Sequence, residues 1–178
     1  MQQQIIVNGT IIKEQIKIVS VYQKNYMNID IDRILLEMEL LPELKWGQIC
    51  LQGVKGNNDP LLGLGKVVDI IKKGYKETDF TYLLFDMPYT NSIINNLNLC
   101  RTRIMNLKYK TCYSYHQDLT KRIHIPLVTN ENCWIIIEKE VKHYPADGNW
   151  YEIDTTKKHT AVNASWEDRI HLVGNLRK

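Results

Sequence analysis

The feature that most constrains the fold is a succession of short β-type segments that fills the sequence after Arg101. Six apolar or alternating runs follow one another at a spacing of roughly ten residues, with turn-forming residues between them. Short strands at this spacing are typical of a β-sandwich or jelly roll. The runs are R-I-M-N-L (103–107), R-I-H-I-P-L-V (122–128), C-W-I-I-I-E-K-E (133–140), W-Y-E-I-D (150–154), T-A-V-N (160–163) and R-I-H-L-V (169–173).

Helical patterns appear only before this β-rich part. Residues 16–22, I-K-I-V-S-V-Y, still predict a strand because they are rich in β-branched side chains. Apolar residues at helical spacing over 31–41 predict a helix, with Asp30 as its cap and Pro42 as its stop.

Two further helices are predicted in the same half of the chain. A loop rich in Gly, Asn and Pro over 52–65 leads into a helix over 66–73, which Gly74 closes. Thr90 is a candidate cap for a helix that runs to about Leu99. We therefore predict one mainly β domain: an α+β elaboration over residues 1–99 packs on a jelly-roll, cupin-like core over residues 100–178.

Composition narrows the functional classes. The chain has 178 residues, and its 23 basic and 20 acidic residues are scattered, so a nucleic-acid partner is not expected. No apolar run approaches the length needed to cross a bilayer and the start lacks a signal-peptide pattern, so we expect a cytoplasmic location without membrane attachment. The four cysteines stand far apart, which argues against disulfides and a structural zinc site. The oligomeric state is not indicated.

The first candidate site is the tripeptide H-Q-D. Because side chains alternate along a strand, His116 and Asp118 leave the same face and can converge on one point. His159, at the start of H-T-A-V-N, is the candidate for a third ligand. Two imidazoles and one carboxylate on one face would suit Fe(II) and leave positions open. By itself, H-x-D also fits a surface histidine near an aspartate that caps the following turn.

Cationic residues on apolar strands form the second candidate site. Arg169 stands in D-R-I-H-L-V, where burial would be costly unless an anion met it. Arg122 and His124 share one face of their strand, while Ile123 and Ile125 share the other. A cationic pair near a metal would suit a carboxylate, although His124 could also be a core histidine. Arg103, Tyr115 and Trp150 are further candidates for lining a pocket.

These motifs occur in an order that resembles a known family. H-x-D, then R-x-H-I-P-L, then G-x-W/Y-x-I-D, then H-x-x-x-N and R-I-H-L-V are similar to the aspartyl/asparaginyl β-hydroxylase family of Fe(II)- and 2-oxoglutarate-dependent oxygenases, including its proline hydroxylase branch. The resemblance covers about residues 100–176 and implies a double-stranded β-helix. The animal peptide-hydroxylating members resembled here have glycine at the position of Asp118.

The resemblance also implies roles for individual residues. It implies that His116, Asp118 and His159 hold the iron, and that Arg169 binds the distal carboxylate of 2-oxoglutarate. Arg122 and His124 would lie near the C1 carboxylate. The implied reaction consumes O2, hydroxylates a C–H bond and releases succinate and CO2. The substrate stays open between an amino acid and a peptide or protein side chain. Two rivals are a 2-oxoglutarate-independent, cupin-like metal protein and a catalytically silent jelly-roll interaction protein.

Overall fold

The computed structural model describes residues 28–177 and, for the backbone alone, residues 6–7 and 10–11. The strand predicted over 16–22 lies outside the described residues. The helices are α1 (Ile31–Met38), α2 (Val67–Lys72) and α3 (Pro88–Asn96), and a single 3-10 turn spans Glu77–Asp79. The strands are β1 (Ile6–Val7), β2 (Thr10–Ile11), β3 (Gln48–Cys50), β4 (Gln52–Gly53), β5 (Tyr82–Leu83), β6 (Leu99–Leu107), β7 (Thr111–Cys112), β8 (Arg122–Val128), β9 (Cys133–Ile137), β10 (Glu140–Lys142), β11 (Tyr151–Ile153), β12 (His159–Asn163) and β13 (Arg169–Leu176).

The first two helices form where the pattern predicts them. Asp30 caps α1, since its carboxylate accepts a hydrogen bond from the backbone N of Arg33 at 3.1 Å. Helix α1 ends at Met38, earlier than the predicted stop at Pro42, because the bonds that follow run to the third preceding residue and tighten the chain into turns. Helix α2 ends just before Gly74, whose φ of 87° suits glycine.

The third helix begins differently from the prediction that Thr90 caps it. Helix α3 starts at Pro88, which places Thr90 inside its first turn. Its cap is the carboxylate of Glu37 on α1, which accepts hydrogen bonds from the backbone N atoms of Tyr89 and Thr90, each at 2.8 Å. A carboxylate suits this position because the first N–H groups of a helix lack intrahelical partners. The cap prediction was wrong because the capping group comes from another helix.

Two antiparallel sheets dominate the β-rich part. The first has the order β11-β8-β13-β6-β3, and the second has the order β10-β9-β12-β7. All six predicted β runs contain strands, and the run C-W-I-I-I-E-K-E divides into β9 and β10 around a turn at Glu138, whose φ is 53°. Strand β3, from the first half of the chain, completes the edge of the five-stranded sheet beside β6.

The five-stranded sheet has one apolar face that packs on the helices. Ile123 and Ile125 on β8 and Leu172 on β13 are buried there. They join one cluster with Ile34 of α1 and Ile94 of α3. This packing confirms the predicted alternation along β8, because Ile123 and Ile125 point to the helices.

The opposite face of this sheet is turned toward the four-stranded sheet. Leu107 and Ile153 from the first sheet form a second buried cluster with Ile135, Ile137 and Ala161 from the other. The two sheets therefore face each other over part of their area. Among the helices of the described residues, none is both long and apolar enough to span a bilayer.

Candidate metal centre

A cavity of about 600 Å³ lies between the two sheets. The face of β8 opposite Ile123 supplies Arg122 and His124 to its wall, as strand alternation requires. The four-stranded sheet supplies His159, Ile135 and Ala161. Polar groups thus converge on one apolar-walled space, which is the usual character of a ligand site.

Three potential metal ligands meet at the edge of this cavity. The atoms that His116, Asp118 and His159 offer to a metal all lie within 4.8 Å of one another. The two imidazole centroids are 4.4 Å apart. His159 is buried on β12, whereas His116 is more exposed. The structure therefore brings together the three residues that the sequence predicts as iron ligands.

Backbone carbonyls orient both imidazoles. Nδ1 of His116 lies 2.6 Å from the carbonyl oxygen of Ser114, and Nδ1 of His159 lies 2.9 Å from that of Lys157. Because a carbonyl can only accept, each Nδ1 carries a proton, and the neutral form of each ring therefore presents the lone pair of Nε2 to a metal. Burial lowers the pKa of His159, which favours the neutral, metal-binding form at pH 7.

Asp118 is held through its backbone and one carboxylate oxygen. Its N donates to the carbonyl of Thr155 at 2.8 Å. Its Oδ2 accepts a hydrogen bond from Nε of Arg122 at 2.9 Å, while Oδ1 lies 4.0 Å from Nε2 of His116. One oxygen is thus anchored and the other faces the histidines. Two imidazoles and one carboxylate fit a divalent iron ion with open positions for other ligands.

Arg169 is a buried cation at the same cavity. It is 4% exposed, and its Nη2 donates to Nδ1 of His171 at 3.0 Å. Within residues 28–177, no carboxylate lies at ion-pair distance from its guanidinium. Burial lowers the pKa of Arg169 to about 10, so the group stays charged at pH 7. A buried guanidinium that meets no carboxylate favours the binding of an anionic ligand.

His124 lies next to this cation. Its Nδ1 is 3.2 Å from Nδ1 of His171. Burial, reinforced by the charge of Arg169, holds the pKa of both histidines well below the usual range, so both are neutral. Because Arg169 donates to Nδ1 of His171, that atom is an acceptor, and the contact between the two histidines is a hydrogen bond only when Nδ1 of His124 carries the proton.

Arg122 is engaged in a buried ion cluster that the sequence did not predict. Besides its bond to Asp118, its Nη1 donates to Oε1 of Glu77 at 2.6 Å. The same oxygen accepts a bond from Nη1 of Arg101 at 2.5 Å. An arginine on an apolar strand is costly to bury unless an anion meets it. This reasoning predicts an anionic partner for Arg101 as it does for Arg169. Nothing in the local sequence distinguishes Glu77 from a surface carboxylate.

Of the three other residues proposed to line a pocket, one does so. Arg103 lines the cavity, is 7% exposed and donates to Oε1 of Gln48 at 3.2 Å. Burial, with the neighbouring charge of Arg101, lowers the pKa of Arg103 to about 9. The cavity lining does not include Tyr115, which is exposed, or Trp150, which packs against the helix-facing core.

The cavity also has an apolar rim. Val68 and Ile71 on α2 and Leu119 beside Asp118 contribute to its lining, and all three are exposed. Exposed aliphatic side chains beside a polar cavity favour contact with a partly apolar ligand.

The β-rich architecture and the His/Asp/His cluster describe a β protein with a site that could hold a metal ion. The sequence model of the aspartyl/asparaginyl β-hydroxylase family matches residues 43–178, and the chain belongs to this family. The family match begins well before the segment over which the motifs show the resemblance, and it includes strand β3 and helix α2. The hydroxylase class of the family agrees with a cluster that could hold a metal ion.

Proposed function

We propose that this protein is an Fe(II)- and 2-oxoglutarate-dependent dioxygenase. It hydroxylates a C–H bond of an amino acid or of a peptide or protein side chain, with succinate and CO2 as coproducts. The observation that carries the proposal is the position of Arg169, a buried cation without a carboxylate partner among residues 28–177, in the cavity that also contains His116, Asp118 and His159. The two facing antiparallel sheets support a double-stranded β-helix.

The proposed role of each residue follows from the position of its side chain. Nε2 of His116, Oδ1 of Asp118 and Nε2 of His159 hold the iron, which supplies the redox chemistry with O2 and 2-oxoglutarate. Arg169 binds the distal carboxylate of 2-oxoglutarate, because a guanidinium can grip a carboxylate with two hydrogen bonds. His124 lies near the C1 carboxylate and is held in place by its contact with His171.

Arg122 contributes to this site chiefly through Asp118. Its guanidinium lines the cavity and keeps a positive charge there, but its hydrogen bonds go to Asp118, Glu77 and Asn175. We therefore propose that Arg122 stabilises the C1 end of 2-oxoglutarate by its charge and through the orientation of Asp118. In this role Arg122 does not bind the C1 carboxylate directly. The resemblance implied only that Arg122 lies near it.

The charge of the cavity supports a substrate that carries an anionic group. Four arginines line the cavity, namely Arg101, Arg103, Arg122 and Arg169. Ion pairs with Glu77 and Asp118 compensate Arg101 and Arg122. The two positive charges of the iron ion and that of Arg169 exceed the two negative charges of the cosubstrate by one, and Arg103 adds a second, which favours a carboxylate on the substrate. The rim formed by Val68, Ile71 and Leu119 would contact its aliphatic part.

Spectroscopy combined with a turnover assay tests the proposal. Anaerobic addition of Fe(II) and 2-oxoglutarate should produce a weak visible charge-transfer band. A screen of amino acids and peptides should then release succinate and yield a product with one additional oxygen in mass spectrometry. Absence of the band in a folded, iron-loaded sample would favour a cupin-like metal protein that does not use 2-oxoglutarate, and failure to bind iron would favour a silent interaction protein.

A further inference from the structure

The 3-10 turn Glu77–Asp79 places a buried carboxylate against Arg122, the residue that binds Asp118 of the proposed metal centre. We propose that Glu77 is a positioning residue, which acts through Arg122 to hold the carboxylate of Asp118 in the orientation that a metal ion requires. This inference rests on the proposed function, because it adds a supporting residue to the same site. Glu77 does not line the cavity and comes from the half of the chain in which the sequence predicts only packing elements.

Glu77 is a buried carboxylate with both oxygens engaged. It is 8% exposed; its Oε1 accepts bonds from Arg101 and Arg122, and its Oε2 accepts one from Oγ1 of Thr120 at 2.9 Å. A buried carboxylate is retained only where charges and hydrogen bonds compensate its desolvation. Burial raises the pKa of Glu77, but the positive charges of Arg122 and Arg101 outweigh it and lower that pKa to about 2. The group is therefore ionised at all physiological pH values.

Arg122 connects Glu77 to Asp118, so the position of Glu77 determines the orientation of Asp118. Its guanidinium is planar and rigid, so the directions of its Nε–H and Nη1–H bonds are fixed relative to each other. Nε donates to Oδ2 of Asp118 at 2.9 Å and Nη1 donates to Oε1 of Glu77 at 2.6 Å. Anchoring one side of the plane on Glu77 thus orients the side that holds Asp118, whose other oxygen faces the histidines.

A second connection runs through the chain that follows Asp118. The hydroxyl of Thr120 donates to Glu77, and its carbonyl accepts a bond from Oγ1 of Thr155 at 2.7 Å. The carbonyl of Thr155 in turn accepts a bond from the backbone N of Asp118 at 2.8 Å. Glu77 therefore restrains both the side chain and the backbone of this ligand.

Arg101 extends the same cluster to the mouth of the cavity. Its Nη1 binds Glu77, its Nε donates to the carbonyl of Gly63 at 3.0 Å, and its Nη2 donates to that of Gly65 at 2.8 Å. Residues 63–65 lead directly into α2, whose Val68 and Ile71 form part of the rim. Without the charge of Glu77, two neighbouring buried guanidinium groups would repel each other and loosen both connections.

Metal binding by variants of the full chain tests this role. Co(II) alone serves as the probe, since its visible absorption reports the coordination geometry without turnover. We expect Glu77→Gln, which keeps the shape but removes the charge, to bind Co(II) 10- to 100-fold more weakly, as is usual when a partner of a metal ligand is lost. The absorption of the bound Co(II) should also change. Glu152→Gln is the matched control, because Glu152 forms a surface ion pair with Lys121 on a strand beside β8.

The control should bind Co(II) with the affinity and spectrum of the wild type. A purely structural role for Glu77 would lower the melting temperature of Glu77→Gln and leave the Kd and spectrum of Co(II) unchanged, which would overturn the inference. If Glu77→Gln does not fold, Glu77→Asp keeps the charge but withdraws the carboxylate by one methylene. Wild-type Co(II) affinity in folded Glu77→Asp would likewise overturn it.

The inference and the proposed function fail in different ways. Failure of the wild-type protein to bind Co(II) would overturn the metal site itself and, with it, the role of Glu77. Co(II) binding by the wild type without succinate formation from 2-oxoglutarate would overturn the proposed reaction but not the positioning of Asp118. Unchanged binding by the folded Glu77 variants would overturn only the positioning.

Discussion

The backbones of His116 and His159 form two reciprocal hydrogen bonds, with N···O distances of 3.0 and 2.8 Å. This isolated bridge holds the two imidazoles together, although the residues belong to distant parts of the sequence. The bridge needs no side chain, so it persists when either imidazole is removed. The metal-binding and structural contributions of these histidines can therefore be separated by mutation.

His159→Ala should abolish stoichiometric Fe(II) binding and leave the fold intact. The expected reason is that the backbone bonds remain while one of three ligands is lost. Metal analysis of the anaerobically loaded protein and circular dichroism measure the two effects. His143→Ala is the control, because His143 contacts the carbonyl of Cys133 and lies outside the cluster. Full iron loading of His159→Ala would remove His159 from the metal site.

Arg169→Met should weaken 2-oxoglutarate binding by about 30-fold or more, since a buried cation that meets a carboxylate contributes at least about 2 kcal/mol. The free energy of unfolding of the ligand-free protein should not fall by more than about 1 kcal/mol, because a well-packed apolar side chain replaces an uncompensated buried charge. Titration calorimetry and urea unfolding measure these quantities. Arg33→Met, a change on the surface of α1, should leave 2-oxoglutarate binding unchanged and lower stability by about 1 kcal/mol or less, because it removes the contact of Arg33 with the ring of Tyr89. A loss of several kcal/mol in stability would show that Arg169 serves the fold instead.

Ile71→Asp at the rim should raise the KM for the hydroxylated substrate and leave the Kd of 2-oxoglutarate unchanged. Ile71 is exposed on α2 and lines the mouth rather than the arginine-rich interior, so its loss should change the unfolding free energy by about 0.5 kcal/mol or less. Steady-state kinetics with each substrate varied in turn provide the measurement. Leu36→Asp, a change of a more exposed aliphatic residue on α1, is the control. Equal effects of the two variants would argue against contact between the rim and the substrate.

The stability of the protein should depend on Glu77 at acidic pH. The pKa of Glu77 falls from an ordinary value of 4.5 to about 2 in the folded protein, because the charges of Arg122 and Arg101 outweigh the effect of burial. A depressed pKa gives stability that is complete above the unfolded value and is lost as the pH falls through the folded value. The contribution, on the order of 3 kcal/mol, should therefore disappear between about pH 4.5 and pH 2.

Urea unfolding of the wild type and of Glu77→Gln over this pH range measures that dependence. The wild type should lose stability more steeply than the variant as the pH falls, and the two curves should converge near the lower end. Parallel curves would mean that Glu77 titrates alike in the folded and unfolded states. Glu140→Gln, which removes an exposed carboxylate paired with Lys142, is the control for a general effect of charge.

The sequence predicts the parts of this structure that depend on local periodicity. Alternation along β8 correctly separates the core side chains Ile123 and Ile125 from the cavity side chains Arg122 and His124. That alternation follows from strand geometry alone, so it can be inferred without a structure. His116 and Asp118 do lie close together as predicted, but H-Q-D forms no strand: His116 makes an isolated bridge to His159, and the backbone N of Asp118 bonds to Thr155.

The remaining features depend on partners that are distant in the sequence. The cap of α3 is Glu37 on another helix, and the carboxylate that joins Arg101 to Arg122 is Glu77, from a short turn before the β-rich part. Strand β7 has only two residues, too few to produce a recognisable alternation. Long-range electrostatic partners leave no periodic pattern, so an unexplained arginine on an apolar strand is the strongest available sign of them.

Arg103 and Arg169 have a practical consequence for finding the natural ligand. Both are buried without a carboxylate partner among residues 28–177, so the ligand-free fold bears a charge cost that a bound anion would relieve. Binding restricted to the folded state raises stability by about 2.7 kcal/mol when the ligand is present at 100 times its Kd. The melting temperature of this protein should therefore rise when an anion binds in the cavity. A panel of carboxylic acids ranked by thermal shift, with the Arg103→Met variant as reference, can nominate the substrate before any product is detected.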